Sequence, residues 1–305
     1  MNLRIARAVG LAFARRVVLA TVLAAAAGTV AACTATGTAP ARPAQPASYY
    51  LALGDSLSQG VQPDPAGISV ETSHGYPNQL FAVLHRTRPA LQLVHLGCPG
   101  ETTKTMIDGG ICQYSGGSQL ASATAFLRAH RGHVFLVTLD IGANDPEDCD
   151  QAAGLVKVPA CVTAMPEAAA NLATIVSRLK AAAGPGVHIV GMNYYLPYLA
   201  LWRNGLFGEA VAHLSEGLVV TYNALLTKVY THAGIQVANV FGAFDTSDFG
   251  NQVTVPGFGT LPRNVALICE WTWQCTAAPR GSNQHPNQTG YAVIARAFLN
   301  AAHLG

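Results

Sequence analysis

Charge is scarce in this chain of 305 residues: Asp, Glu, Lys and Arg make up 11% of it, against 50% hydrophobic residues. So much apolar material can form a sizeable core, which excludes disorder as the main state. Basic runs are missing from the body. Arg4, Arg7, Arg15 and Arg16 all stand in the first 32 residues, where there is no acid, and in the remainder 14 basic side chains are outnumbered by 16 acidic ones. A mildly acidic body argues against nucleic acid as a partner. Also lacking are an internal repeat and a second regime of composition, so one domain is expected where length alone would allow about two. No C-x-x-C spacing occurs and the histidines are scattered. Zinc is therefore not expected, and neither is any other metal or a cofactor.

The apolar run over 17–30 is too short to span a bilayer comfortably. It follows the basic pair Arg15-Arg16 and precedes small residues, the order of an export signal. The segment ends Val30-Ala31-Ala32-Cys33, which resembles the bacterial lipobox, whose cysteine is diacylated through sulfur and becomes the new N-terminus. The alternative is an ordinary signal cut near the same place, leaving Cys33 a stray thiol. Residues 34–48 are rich in alanine, threonine and proline with no hydrophobic period, as in an extended, solvated spacer. The expected organisation is a lipoprotein-type signal at 1–32, a tether at 33–48 and one body at 49–305. Such a protein is exported and bound to the membrane through its N-terminal lipid, or secreted if Cys33 carries none.

Apart from Cys33 there are six cysteines, Cys98, Cys112, Cys149, Cys161, Cys269 and Cys275. An even number in an exported chain points to three disulfides. They fall into local pairs, so the expected bridges are Cys98–Cys112, Cys149–Cys161 and Cys269–Cys275, each clipping a loop.

From Tyr49 onward short aliphatic or β-branched runs alternate with longer Ala/Leu-rich stretches, the pattern of βα units around a mainly parallel sheet. The expected strands are 50–53, 91–96, 134–139, 187–192 and 236–239. The expected helices are 78–85, 118–129, 166–183, 209–232 and 287–302. Three of these strands run directly into glycine-bearing polar motifs: Gly54-Asp55-Ser56-Leu57, Gly97-Cys98-Pro99-Gly100 and Gly142-Ala143-Asn144-Asp145. The carboxyl ends of strands in a parallel sheet share one edge, where ligands bind, so the three motifs should meet.

A serine on a tight turn after a strand can present its oxygen at that edge, and backbone N–H groups suit a developing anion. Gly100 would let a substrate oxygen approach the backbone, and Asn144 offers a neutral amide donor. Acyl transfer needs such a set together with a base, and His285 stands in a polar turn just before the last helix. Taken singly, each piece has a plainer reading: Asp55 as a helix cap, Asn144 and Asp145 as an Asx turn, Gly100 as backbone punctuation. Two aromatic stretches, 193–202 and 270–274, could line an acyl pocket, or could instead be core and a disulfide-braced surface loop.

In this order the motifs resemble the SGNH hydrolases, also called the GDSL lipase/esterase family, over 49–304. Its four blocks correspond to Gly54–Leu57, Gly100, Gly142–Asp145 and Ser282–His285, and the clipped loops are similar to those of secreted actinobacterial lipases. The resemblance implies a flavodoxin-like three-layer α/β/α sandwich with a mainly parallel five-stranded sheet. It also implies Ser56 as nucleophile, His285 as general base, and an oxyanion hole from the Ser56 and Gly100 amides with the Asn144 side chain. One departure stands out. The family carries aspartate three residues before its histidine, and this chain carries Ser282. Either a backbone carbonyl near 280–282 orients the imidazole, or Asp245 or Asp248 folds in, or the site is not catalytic. The implied partner is an acyl ester, lipid-like rather than sugar-like, acted on by a monomer. Acetylated envelope polysaccharide is the alternative substrate, and a non-catalytic envelope-binding lipoprotein the alternative function.

Overall fold

Short runs buried on both faces are what a central parallel strand requires; β1 and β5 have them, and three further strands complete a sheet of five. A computed structural model describes residues 48–145 and 158–304. In it β1 (Ser48–Gly54), β4 (Leu91–His95), β5 (Val134–Asp140), β6 (His188–Met192) and β7 (Gln236–Ala238) lie in the order β4-β1-β5-β6-β7, every neighbouring pair parallel. Tyr50, Leu51, Ala52 and Leu53 on β1 and Leu136, Val137 and Leu139 on β5 are shut off from solvent. Each buried leucine or valine there contributes roughly 1.5–3 kcal/mol of hydrophobic stabilisation.

Helices cover both faces. On one, α1 (Tyr76–Thr87) packs against α8 (Gln288–Ala301); on the other, α3 (Gln119–Ala129), α4 (Val158–Ala183) and α5 (Gly205–His232) lie side by side. This is the expected three-layer sandwich. The strand order leaves β1 between β4 and β5, so the connections diverge at the β1/β5 junction and open a crevice beyond the carboxyl ends of those two strands.

Smaller elements that the sequence pattern did not suggest complete the body. Two antiparallel hairpins, β2 (Gln62–Pro63) with β3 (Ser69–Val70) and β8 (Gln252–Val255) with β9 (Gly259–Pro262), stand apart from the sheet. Short helices α2 (Thr103–Asp108), α6 (Val240–Ala243) and α7 (Arg263–Trp271) and a 3-10 helix over Pro197–Asn204 fill loops. The third long helix, α4, begins at Val158, eight positions before its expected start, and carries Pro166 inside it. Among the described residues no helix is long and apolar enough to cross a membrane.

Two of the expected bridges are present, Cys98–Cys112 and Cys269–Cys275, bonds that persist in oxidising compartments. The Cys149–Cys161 pairing lies outside the described residues, as do Cys33, the leader and the tether up to residue 47; Ser48, expected to end the tether, opens β1.

Candidate active site

The turn after β1 is built over Asp140, the last residue of β5. Asp55 N–H donates to the Asp140 carbonyl at 3.0 Å, and the Asp140 carboxylate accepts from the backbone N–H of Ser58 at 3.1 Å and from the Tyr76 hydroxyl. Asp55 accepts from Leu57 N–H at 2.9 Å, so it holds the turn, as expected. Gly54 is required here: its φ is +136°, and a Cβ would stand 2.1 Å from the Asp140 carbonyl oxygen. Both carboxyls are fully buried. Burial pushes Asp55 up to about 7, and burial followed by repulsion from Asp55 pushes Asp140 well above the usual carboxylate range. The pair therefore holds at most one full charge at neutral pH.

The same bonds gather the other two motifs. Cys98 N–H donates to the Gly54 carbonyl at 3.0 Å, which brings the Gly100 turn beside the serine turn. Asn144 Nδ2 donates to the Glu101 carbonyl at 2.9 Å, which brings the β5 turn beside both. Gln119, at the start of α3, ties the group together: it accepts from Gly54 N–H at 2.7 Å and donates to the Gly54 carbonyl and to Glu101. Gly100 has φ +81°, and a Cβ there would have no protein atom within 4 Å. The left-handed backbone, not crowding, demands glycine, and the space before it is open. Asp145 accepts from the backbone N–H of Thr103 at 2.9 Å and from its hydroxyl, pinning α2 to the site.

His285 reaches this edge from the other end of the chain. Its Nε2 lies 2.9 Å from Ser56 Oγ across a separation of 229 residues. Its loop is clamped by backbone bonds, His285 and Asn287 pairing with Trp273 and Trp271, and the Tyr195 hydroxyl donates to the Gln284 carbonyl at 2.8 Å. The ring is buried, which pushes its pKa down to about 4.

What orients the ring differs from every expectation drawn above. Ring Nδ1 lies 2.8 Å from Asn283 Oδ1, a side-chain carbonyl two positions upstream. Ser282 Oγ instead accepts from Gln274 at 3.2 Å, Asp245 pairs with Arg263 at 2.6 Å, and Asp248 caps the turn at Asn251. The backbone carbonyls of 280–282 are not the partners of the ring. Position 283 carries a sequence signal of its own: asparagine bonds its own backbone two residues on in an Asx turn, and His285 N–H does donate to Asn283 Oδ1 at 3.0 Å.

The two aromatic stretches turn out to be framework. Tyr194, Tyr195, Leu196 and Leu199 are buried, and Tyr195 stacks on Phe244, which meets Trp271 edge-on. Glu270 and Trp271 end α7, and Trp273 Nε1 donates to Gln62 at 3.3 Å. Both stretches brace the histidine loop.

Fold and site together describe an α/β protein with a serine–histidine pair at the carboxyl edge of its parallel sheet. Residues 52–293 match the model of the GDSL-like Lipase/Acylhydrolase family, and the chain belongs to it. It is thus a carboxylic ester hydrolase. Solved structures share the fold: an extracellular lipase from Streptomyces rimosus (17% identical, TM-score 0.52, 84% of this chain and 100% of that one) and phospholipase A1 from Streptomyces albidoflavus NA297 (19%, 0.51, 84% and 100%). A variant of an acetyl-xylooligosaccharide esterase from Geobacillus stearothermophilus is similar as well (17%, 0.50, 84% and 94%). No curated protein matches the chain in sequence.

Proposed function

We propose that the chain hydrolyses acyl esters, with lipid-like esters as the favoured class, through an acyl-enzyme on Ser56. The bond between His285 Nε2 and Ser56 Oγ carries this reading. His285 takes the hydroxyl proton as Ser56 Oγ attacks the ester carbonyl carbon. The resulting oxyanion is held by the Ser56 and Gly100 amides and by Asn144, whose amide nitrogen has a second N–H beyond the one given to Glu101. Collapse breaks the acyl carbon–oxygen bond, and the leaving alcohol takes its proton from His285. Water then repeats the attack with the same base, releasing the acid and restoring Ser56.

Support for an apolar acyl chain comes from the β2–β3 hairpin beside the histidine loop. Asn283 Nδ2 donates to Ser69 Oγ, and the flanking Ile68 is 63% exposed and Val70 39%. Export follows from the signal-like leader and the disulfides, and anchorage from Cys33, where the mass of the mature N-terminus should show a diacylglyceryl group.

The test is release of p-nitrophenol from p-nitrophenyl esters of increasing acyl length. Wild type should turn over medium chains faster than acetate, and Ser56→Ala should lose on the order of 10⁴-fold or more in kcat. Equal turnover by both proteins would remove the serine mechanism. Preference for acetate, with activity on acetylated glycans, would move the substrate to envelope polysaccharide.

A further inference from the structure

We propose that Asn283 is the positioning residue of the catalytic base, fixing the imidazole through a neutral amide where serine hydrolases commonly use a carboxylate. The proposal rests on the serine mechanism above and concerns how its base is oriented.

The atoms leave one assignment. Asparagine oxygen and nitrogen are interchangeable by shape, but a backbone N–H can only donate. His285 N–H points at the same Asn283 atom that faces the ring, 3.0 Å away, so that atom is the oxygen. The oxygen can only accept, so ring Nδ1, 2.8 Å from it, carries the proton. Nε2 is then the unprotonated nitrogen, turned to the Ser56 hydroxyl at 2.9 Å. The amide itself is held. Its Nδ2 donates to Ser69 Oγ at 3.0 Å and its backbone N–H to the Trp273 carbonyl, while Trp273 N–H donates back to the His285 carbonyl.

A neutral acceptor orients the ring without stabilising imidazolium. The groups around His285 are neutral where they touch the ring, Ser56 at Nε2 and Asn283 at Nδ1, with the Tyr195 hydroxyl on the adjoining Gln284 carbonyl and Arg280 over Trp273 on its own loop. Burial lowers the pKa of the imidazole and favours the neutral ring down to about pH 4. An enzyme so built keeps its base unprotonated in acid, where an imidazole paired with a carboxylate would already hold its proton.

The experiment is the pH profile of kcat/KM for wild type, Asn283→Ala, Asn283→Asp and Ser56→Ala on one p-nitrophenyl ester, with melting temperature measured alongside. Asn283→Ala should lose on the order of 10²- to 10⁴-fold in kcat with KM little changed, as when the orienting member of a triad is lost. Asn283→Asp should stay active, with its acid limb moved up by more than one pH unit, a displacement that a merely structural role would not produce. An unmoved limb in Asn283→Asp, or full kcat in Asn283→Ala, would overturn the proposal. If Asn283→Ala fails to fold, the Asn283→Asp profile decides by itself. A dead Ser56→Ala beside a fully active Asn283→Ala would sink this inference alone, whereas an active Ser56→Ala would sink the serine mechanism beneath it.

Discussion

The proposed mechanism gives Asn144 two tasks, and substitution separates them. One N–H holds the Glu101 carbonyl at 2.9 Å and so fixes the distance between two turns; the other is the one that the proposed mechanism offers to the substrate oxygen. Asn144→Ala should lower kcat on the order of 10²- to 10³-fold on p-nitrophenyl esters, the usual loss for one oxyanion donor. A change in melting temperature with kcat intact would leave only the structural task. Ser56, Gly100, Asn144 and His285 could all be picked out in the sequence because each follows a strand or precedes a helix in a recognisable string. Asn283 was hidden by its position. The family's string marks the residue three before the histidine, whereas an Asx turn places its acceptor two before. Gln119 was hidden for a different reason: a glutamine opening a helix has no local pattern, and its bonds reach 65 residues back to Gly54.

Elements were legible in proportion to their length and periodicity. All five sheet strands fall within about two residues of the runs that suggested them; at the centre, β1 and β5 are buried on both faces and need a continuous apolar run. The hairpins and short helices were not, since they carry neither a continuous apolar run nor enough turns to show a helical period, and their stability comes from tertiary contacts. Pro166 shows how context overrides a local signal. Proline usually marks a helix start, and α4 nonetheless begins eight residues before it. An interior proline forfeits one backbone hydrogen bond and costs about 3 kcal/mol, while its rigidity returns up to about 1 kcal/mol through the unfolded chain. Pro166→Ala, at an exposed position, should therefore stabilise the protein by about 2 kcal/mol in urea unfolding. A loss of stability would mean that the helix starts at the proline in solution.

At the scale of the molecule, buried ionisable groups make stability depend on pH in opposite directions. His285 is lowered from 6.5 to about 4, so its contribution is complete above pH 6.5 and is lost as pH falls through 4. Asp55 is raised from 3.8 to about 7, so its contribution is complete below 3.8 and is lost as pH rises through 7. Across pH 4 to 6.5 the two slopes oppose each other. His285→Gln removes one of them: relative to wild type, the variant should gain stability as pH falls from 6.5 to 4, by up to roughly 3 kcal/mol. Thermal melts of both proteins across that window measure it, and a pH-independent difference would mean that the buried ring titrates at its ordinary pH.

Hydrophobic period was enough to determine the parallel sheet, and four short strings, through the family they resemble, the layers, the glycine turns and the two ends of the Ser56–His285 bond. These are local properties: burial on both faces selects the strand residues, and each turn needs its glycine whatever surrounds it. Folding alone decided which groups meet there. Strand order set the crevice at β1/β5, long-range bonds from Gln119 and Asp140 gathered the turns, and the Trp273 backbone held the loop in which an amide faces the imidazole. Directional bonds between residues far apart in sequence are specified by three-dimensional geometry, and no window along the chain contains it.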